Sequence, residues 1–270
     1  MIATATQFNS VPVGCGARGF ARLLPDILGV LGSRRYLRAP LCTSPRLESA
    51  VWSAVRAYEP IDVVLLWGKG PKLRPDRYEY LTAEFLRKYA RRVSSVWSPG
   101  VRYRVLFADT HAALNGYSGT ASEEYFAAVR SMLGSQNTYG TLSSLWDRAG
   151  LTWDSVSQRV LGLKEGEWQE VDTALGLSAA AELHCVGGDP QWSARVYYVV
   201  RQAEGRILAD AFSDCLYATS EGPDRHRLLP GLPVLHMYSW ARGRCARPWN
   251  VATAHDTLSP VGGELASCAA

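Results

Sequence analysis

The six cysteines, Cys15, Cys42, Cys185, Cys215, Cys245 and Cys268, include no CxxC pair. A chain of 270 residues needs no covalent staples to hold a core, so free thiols in a reducing cytosol are expected. No apolar run approaches the roughly 18–20 residues of a membrane span, and no charged, apolar, small-residue leader opens the chain. A soluble, cytoplasmic protein with no membrane association is the expectation. Internal repeats and low-complexity tracts are missing. Charge of either sign is in little excess, at a formal +4. That balance suits an anionic small molecule and is too weak to argue for nucleic acid. The runs Arg87-Lys88, Arg91-Arg92 and Arg225-His226-Arg227 read as solvated faces. With 47% apolar and 20% charged residues, the composition excludes bulk disorder. The length allows one large domain, or one domain with an appended helical lid; oligomeric state is not readable.

What is present centres on Ile61 to Lys72, IDVVLLWGKGPK. Val63 to Leu66 form an apolar run of the kind found in parallel strands covered on both faces. It enters the turn Trp67-Gly68-Lys69-Gly70-Pro71-Lys72, and open α/β sheets bind ligands just past the carboxyl ends of such strands. Upstream, Phe20, Leu23, Leu24, Ile27 and Leu31 predict a helix over Arg18 to Gly32, with a break or kink at Pro25. Leu47, Val51, Val55 and Tyr58 predict a second helix, ended by Pro60. The two helices form either a lid over the strand ends or simple packing against the sheet edge. Downstream, Asp76-x-x-Glu79 is a capping-box pattern opening a helix with Tyr78, Leu81, Phe85, Tyr89 and Val93 inward. Trp97 to Gly100 makes a turn, and Val101 to Ala108 a second strand, completing a parallel crossover unit.

That strand runs into Asp109-Thr110-His111-Ala112-Ala113-Leu114-Asn115-Gly116-Tyr117-Ser118, the densest polar cluster in the chain. Thr120-x-x-Glu123 is expected to cap a helix with Tyr125, Phe126, Val129 and Leu133 inward. Thr141 to Ala149, stopped by Gly150, and Thr152 to Leu163 read as further helices. Beyond Gly166, Val196 to Arg201 and Arg206 to Phe212 read as strands joined by a Gln202-Ala203-Glu204-Gly205 hairpin. Val234 to Trp240 reads as another strand, and Arg247-Pro248-Trp249-Asn250 closes the ordered part. The fold class that follows is α/β: a Rossmann-like sheet flanked by helices, an N-terminal helical lid and a β-rich C-terminal third. The expected division is an arm and lid over residues 1–59, a catalytic domain over 60–258, and a flexible tail over 259–270.

The Gly68-Lys69-Gly70-Pro71 turn lets backbone amides and a lysine approach an anion closely. Walker spacing is absent, and no third glycine opens a helix as the dinucleotide fingerprint requires. The turn resembles the S-adenosylmethionine loop of Rossmann-like transferases; the opposing reading is a tight turn that happens to carry lysines. Asp109 stands where such folds hold ribose hydroxyls. Asp109 and His111 also suit an acid–base pair or two metal ligands, but a metal site wants a third ligand, and His184, His226 and His236 stand in no recognisable spacing with them. No metal is therefore expected. The plain alternative is that Asp109 caps a helix and His111 is a satisfied, partly buried histidine.

The order of elements resembles one known family. Leu66 to Lys72, Pro75-Asp76-Arg77-Tyr78-Glu79, Leu81 to Val93, Pro99-Gly100, Val105 to His111, Tyr125 and the terminal Pro248-Trp249 look like the isonitrile (isocyanide) synthases of the pyoverdine and dityrosine type. The likeness covers roughly residues 60 to 165. The family's Lys-Ser-Pro-Asn turn stands here as Trp67-Gly68-Lys69-Gly70-Pro71-Lys72, and its Ser-Asp-Gly as Ala108-Asp109-Thr110. The resemblance implies a specialised-metabolism enzyme with a small-molecule amino-acid substrate.

Two mechanisms follow. In one, S-adenosylmethionine lies across the strand ends against Trp67, Gly68, Lys69, Gly70, Lys72 and Asp109. Tyr117, Tyr139 or Trp67 would face the sulfonium for methyl or aminobutyryl transfer, or for cyclisation to azetidine-2-carboxylate with Asn115 or Asn137 orienting the amine. In the other, implied by the family, an amino-acid amine condenses with a sugar phosphate. Lys69 or Lys72 would then meet the phosphate or carbonyl, and His111 would move protons. A third reading makes the aromatic residues Trp192, Tyr197, Tyr198, Tyr238, Trp240 and Trp249 a partner surface of a non-catalytic binding protein.

Overall fold

The computed structural model describes residues 17–184, 188–238 and 248–250. The expected N-terminal arm, the flexible tail, Trp240 and Arg247 lie outside the described residues. Two helices come first, α1 (Ala17–Leu31) and α2 (Pro45–Ala57). Pro25 lies inside α1 and does not end it, because Ile27 and Leu31 on the following turn are fully buried against the core. Ser44 caps α2 by accepting from the Leu47 amide at 3.2 Å. Tyr58, expected on the buried face, instead takes the left-handed conformation that ends the helix (φ 54°) and is exposed.

A strand–helix–strand unit follows: β1 (Ile61–Trp67), α3 (Arg77–Ser94) and β2 (Val101–Phe107). The capping box forms as the sequence dictates: the Tyr78 amide donates to Asp76 at 2.8 Å, and Glu79 reaches back to the Asp76 amide at 3.0 Å. The buried stripe of α3 is rotated from the expected one and consists of Glu79, Ala83, Leu86, Tyr89 and Val93. Tyr78, Leu81 and Phe85 are only half-buried, since the helix turns Glu79 inward towards Lys72.

Next come α4 (Asp109–Leu114) and α5 (Gly119–Leu133). The cap of α5 is Ser118, accepting from the Ala121 amide at 3.3 Å, not Thr120. With Gly119 as the first helical residue, Ser118 holds the extended conformation that an N-cap requires. Tyr125, Phe126, Val129 and Leu133 are buried as their spacing predicts. The short strand β3 (Thr138–Thr141) was not readable from the sequence; α6 (Leu142–Ala149) and α7 (Trp153–Leu161) then start on the Thr141 and Thr152 caps.

Helices α8 (Glu165–Leu175), α9 (Leu177–His184) and α10 (Pro190–Ala211) lead to β4 (Leu216–Thr219) and β5 (Val234–His236). The expected hairpin over 196–212 is wrong: residues 196–211 lie within α10, a single 22-residue helix, and Phe212 is its C-cap. Among the described residues the C-terminal third contributes that long helix and two short strands, so it is not β-rich. Valine and tyrosine favour strands only weakly, and packing overrides the preference. Asp189 caps α10, Pro190 occupies its first turn, and Ala194, Val199, Val200, Ala203 and Leu208 bury one face.

Among the described residues the five strands are all parallel, in the order β3-β2-β1-β4-β5. This is a Rossmann-like α/β fold. Residues of α1, α2, α3 and α5 pack with Ile61, Val63 and Trp67 on one face of the sheet. Residues of α6, α7 and α10 pack with Val64 and Leu106 on the other. The chain moves outward from β1 to β2 and β3, then returns to β4 on the other flank of β1. In open α/β sheets such a reversal marks the place where ligands bind, here the carboxyl end of β1, where Trp67 stands level with Phe107. No helix among the described residues is long and apolar enough to cross a membrane.

Candidate functional site

Two buried polar networks sit at the carboxyl edge of the sheet, one against each face. The first is built on the loop after β1. Lys72, 1% exposed, lies 2.8 Å from Glu79 and 2.8 Å from Asp76. Glu79 also accepts from the Tyr125 hydroxyl at 2.8 Å, and that hydroxyl accepts from the Trp67 indole at 3.4 Å. Burial pushes the Glu79 carboxyl up, against the pull of its bonds to Lys72 and the cap amide.

Lys69 is also buried but is held differently. Its ammonium donates to the backbone carbonyls of Gly70, at 2.6 Å, and of Lys72. It stands 5.0 Å from the ring centres of both Tyr117 and Tyr125. Among the described residues it forms no ion pair, and burial lowers its pKa to about 8. The turn therefore carries one cation paired directly with carboxylates and one that feels only the more distant charge of Glu79. Gly68 is needed for contact within the chain: a Cβ there would run into the Trp249 indole, which packs on Trp67 with ring centres 5.7 Å apart.

The second network is built on α4 and α10. His111 Nε2 lies 2.8 Å from Glu204 Oε2. The other carboxylate oxygen accepts from the Trp146 indole at 3.1 Å and the Thr110 hydroxyl at 3.3 Å. Tyr197 meets the His111 ring edge-on at 5.9 Å. One turn from each, the buried Arg201 donates to the Leu228 carbonyl at 3.0 Å and approaches Glu221 at 3.5 Å.

The segment Asp109–Tyr117 joins the two networks, with His111 on Glu204 and Tyr117 under Lys69. Asp109 faces neither: it accepts from the Ser143 amide at 3.0 Å and from the Ser143 hydroxyl, tying α4 to the start of α6. Asn115 ends α4, and its side chain has no hydrogen-bond partner among the described residues. Burial raises the Tyr117 phenol. Asn137 and Tyr139 stand apart from this group. Asn137 accepts from the Tyr103 amide at 3.2 Å, before the start of β3, at the amino end of the sheet. Tyr139 donates to the Gly134 carbonyl at 2.6 Å and stacks on Phe107.

Glu204, Trp146 and Arg201 are the residues that sequence reasoning missed. Glu204 lay inside the supposed hairpin turn. Asp189-Pro190 as a helix start, with apolar residues spaced three and four apart after it, was the available signal. Among the described residues no group of three or more His, Cys, Asp or Glu is placed to hold a metal ion.

No protein-family model matches the chain, and no curated protein matches its sequence. Similar solved structures exist. The PvcA protein from Pseudomonas aeruginosa aligns at a TM-score of 0.55 and 19% identity, over 84% of this chain and 87% of that one. Tyrosyl-tRNA synthetase from Archaeoglobus fulgidus, complexed with L-tyrosine, aligns at 0.43 and 15% identity, over 80% and 64%. The enzyme from Pyrococcus horikoshii, also with L-tyrosine, aligns at 0.40 and 12%, over 76% and 52%. At these identities the comparison with PvcA establishes a shared fold over most of both chains.

Proposed function

We propose that the chain is a specialised-metabolism enzyme that condenses the amine of an α-amino acid with the carbonyl of a phosphorylated sugar, as its resemblance to isonitrile synthases implies. One observation carries this reading: Lys69 is a buried amine at the carboxyl end of the central strand that forms no ion pair among the described residues, and the carboxylate whose charge reaches it, Glu79, is already bound to Lys72. A buried charge without a counter-ion is costly, and an anionic substrate group supplies the missing partner. The PvcA-like fold supports the same reading.

In this mechanism Lys69 pairs with the phosphate as a charge-assisted donor. His111 takes a proton from the substrate ammonium, and the freed amine attacks the carbonyl carbon. The alkoxide so formed takes a proton from the attacking nitrogen. The resulting hydroxyl takes back the proton held by His111 and leaves as water, giving the protonated imine without any oxidant. Tyr117 walls the site, and Asn115 offers an amide to the substrate. S-adenosylmethionine is the competing ligand. The two features that suggest it, Gly68 and Asp109, are both engaged within the protein, by Trp249 and Ser143.

Thermal unfolding in the presence of ligands separates the readings. Ribulose 5-phosphate together with amino acids should raise the melting temperature of the native chain, and Lys69→Met should remove most of that rise. Stabilisation by S-adenosylmethionine or S-adenosylhomocysteine instead would replace this function with a transferase or cyclase. A flat response to all of them would favour the non-catalytic binding reading.

A further inference from the structure

Glu204 lies within α10 with its side chain 1% exposed, yet none of its hydrogen-bond partners is a lysine or arginine; Arg201, one turn earlier on the helix, acts on it only through charge. An indole nitrogen can only donate, so Trp146 requires Glu204 Oε1 to accept; the Thr110 hydroxyl lies on the same oxygen. The arrangement is that of a carboxylate ringed by donors, and Oε2 completes it by accepting from His111 Nε2 at 2.8 Å. The hydrogen of a neutral His111 then belongs on Nε2. Its Nδ1 keeps an unprotonated lone pair and has no partner among the described residues. Two further neighbours on α10, Tyr197 against the imidazole edge and Arg201 beyond it, complete the surroundings.

We propose that Glu204 is a positioning residue that fixes His111 as the Nε2–H tautomer and presents Nδ1 as the acid–base atom of the site. The proposal rests on the role given to His111 above and extends it to a residue deep in α10. Each turnover moves one proton: Nδ1 accepts it from the substrate ammonium and returns it to the departing hydroxyl. Glu204 stabilises the imidazolium between the two transfers, as a buried carboxylate does behind a catalytic histidine in other folds.

The test is nitrogen-15 NMR of the histidine-labelled full chain, with His111 identified by its loss in His111→Asn. The wild type should show the Nε2–H tautomer, and Glu204→Gln should lose that preference, because an amide can donate to Nε2 as readily as accept from it. In the condensation assay, Glu204→Gln should lower kcat by on the order of 10²-fold with KM little changed, and Glu204→Asp should recover part of the loss. An Nδ1–H tautomer in the wild type overturns the proposal, as does a wild-type tautomer or wild-type kcat in Glu204→Gln. If that variant does not fold, the wild-type spectrum alone decides. If no condensation is found, the proposed reaction fails, while the two spectra still decide whether Glu204 positions His111.

Discussion

Glu79 and Glu204 are both buried at the carboxyl edge of the sheet, on opposite faces, and their neutralisation differs. Glu79 meets a full cation, Lys72 at 2.8 Å, together with a tyrosine hydroxyl and a cap amide. Glu204 meets an indole, a hydroxyl and an imidazole. In the first network every charge is answered inside the protein, so it fixes the loop after β1 and has little capacity left for a ligand. In the second, one ring nitrogen remains able to take up a proton. The loop repeats the contrast at short range: Lys72 is paired, whereas Lys69, three residues earlier, touches only carbonyls and aromatic rings. Burial alone therefore does not distinguish scaffold from chemistry here; the difference lies in whether the partners satisfy the group's charge and proton capacity.

The strongest way to break this comparison is to remove Glu79. Glu79→Ala strands Lys72 in the interior with Asp76 as its remaining carboxylate, and should cost about 3–5 kcal/mol by urea unfolding. Replacing both members of the pair, Lys72→Met with Glu79→Leu, should recover much of that loss, because no unpaired charge is left buried. A single-variant cost below about 1 kcal/mol, the range of an exposed ion pair, would mean that the network does not hold the loop.

Lys69 sharpens the contrast through pH. Its folded pKa, lowered by burial to about 8, lies below the ordinary lysine value of 10.5. Between those values the unfolded chain binds more protons than the folded one, so stability rises with pH across that interval. Below pH 8 both states are protonated and the cost of the buried ammonium is fully present. Wild type measured against Lys69→Met should therefore gain on the order of 1 kcal/mol between pH 7.5 and pH 10, after allowance for solvent screening. A constant difference across that range would place Lys69 in a solvated setting and remove the case for an anionic ligand.

Local signals explain why the first network was partly legible in the sequence and the second was not. The apolar run of β1 and the Asp76–Glu79 box are written within a few residues each, and both formed as the pattern predicts. That Glu79 would also serve Lys72 and Tyr125 depends on how α3 and α5 settle on the sheet. Glu204 needed more: its partners are 58, 93 and 94 residues away in sequence, and the valines and tyrosines before it favour a strand locally. The cluster from Asp109 to Tyr117 was legible as a dense run of polar groups, but the division of labour within it was not. Asp109 turned to Ser143, His111 to α10 and Tyr117 to Lys69, three directions set by the successive turns of α4 and the residues after it. Asn137 and Tyr139 resemble site residues by type, yet β3 places them below the carboxyl edge.

The smallest effect tests how the two networks are kept apart. Ser118 caps α5, the helix that carries Tyr125 to Glu79. Ser118→Ala should cost about 1 kcal/mol, the usual value of an N-cap, whereas Thr120→Ala, inside the first turn, should cost almost nothing. Because α5 serves the Glu79 side only, the loss should appear in unfolding and leave the His111 tautomer unchanged. A change in the His111 signals on Ser118→Ala would show that α4, joined to α5 by residues 115–118, transmits strain between the faces, and the two networks would then have to be treated as mechanically coupled.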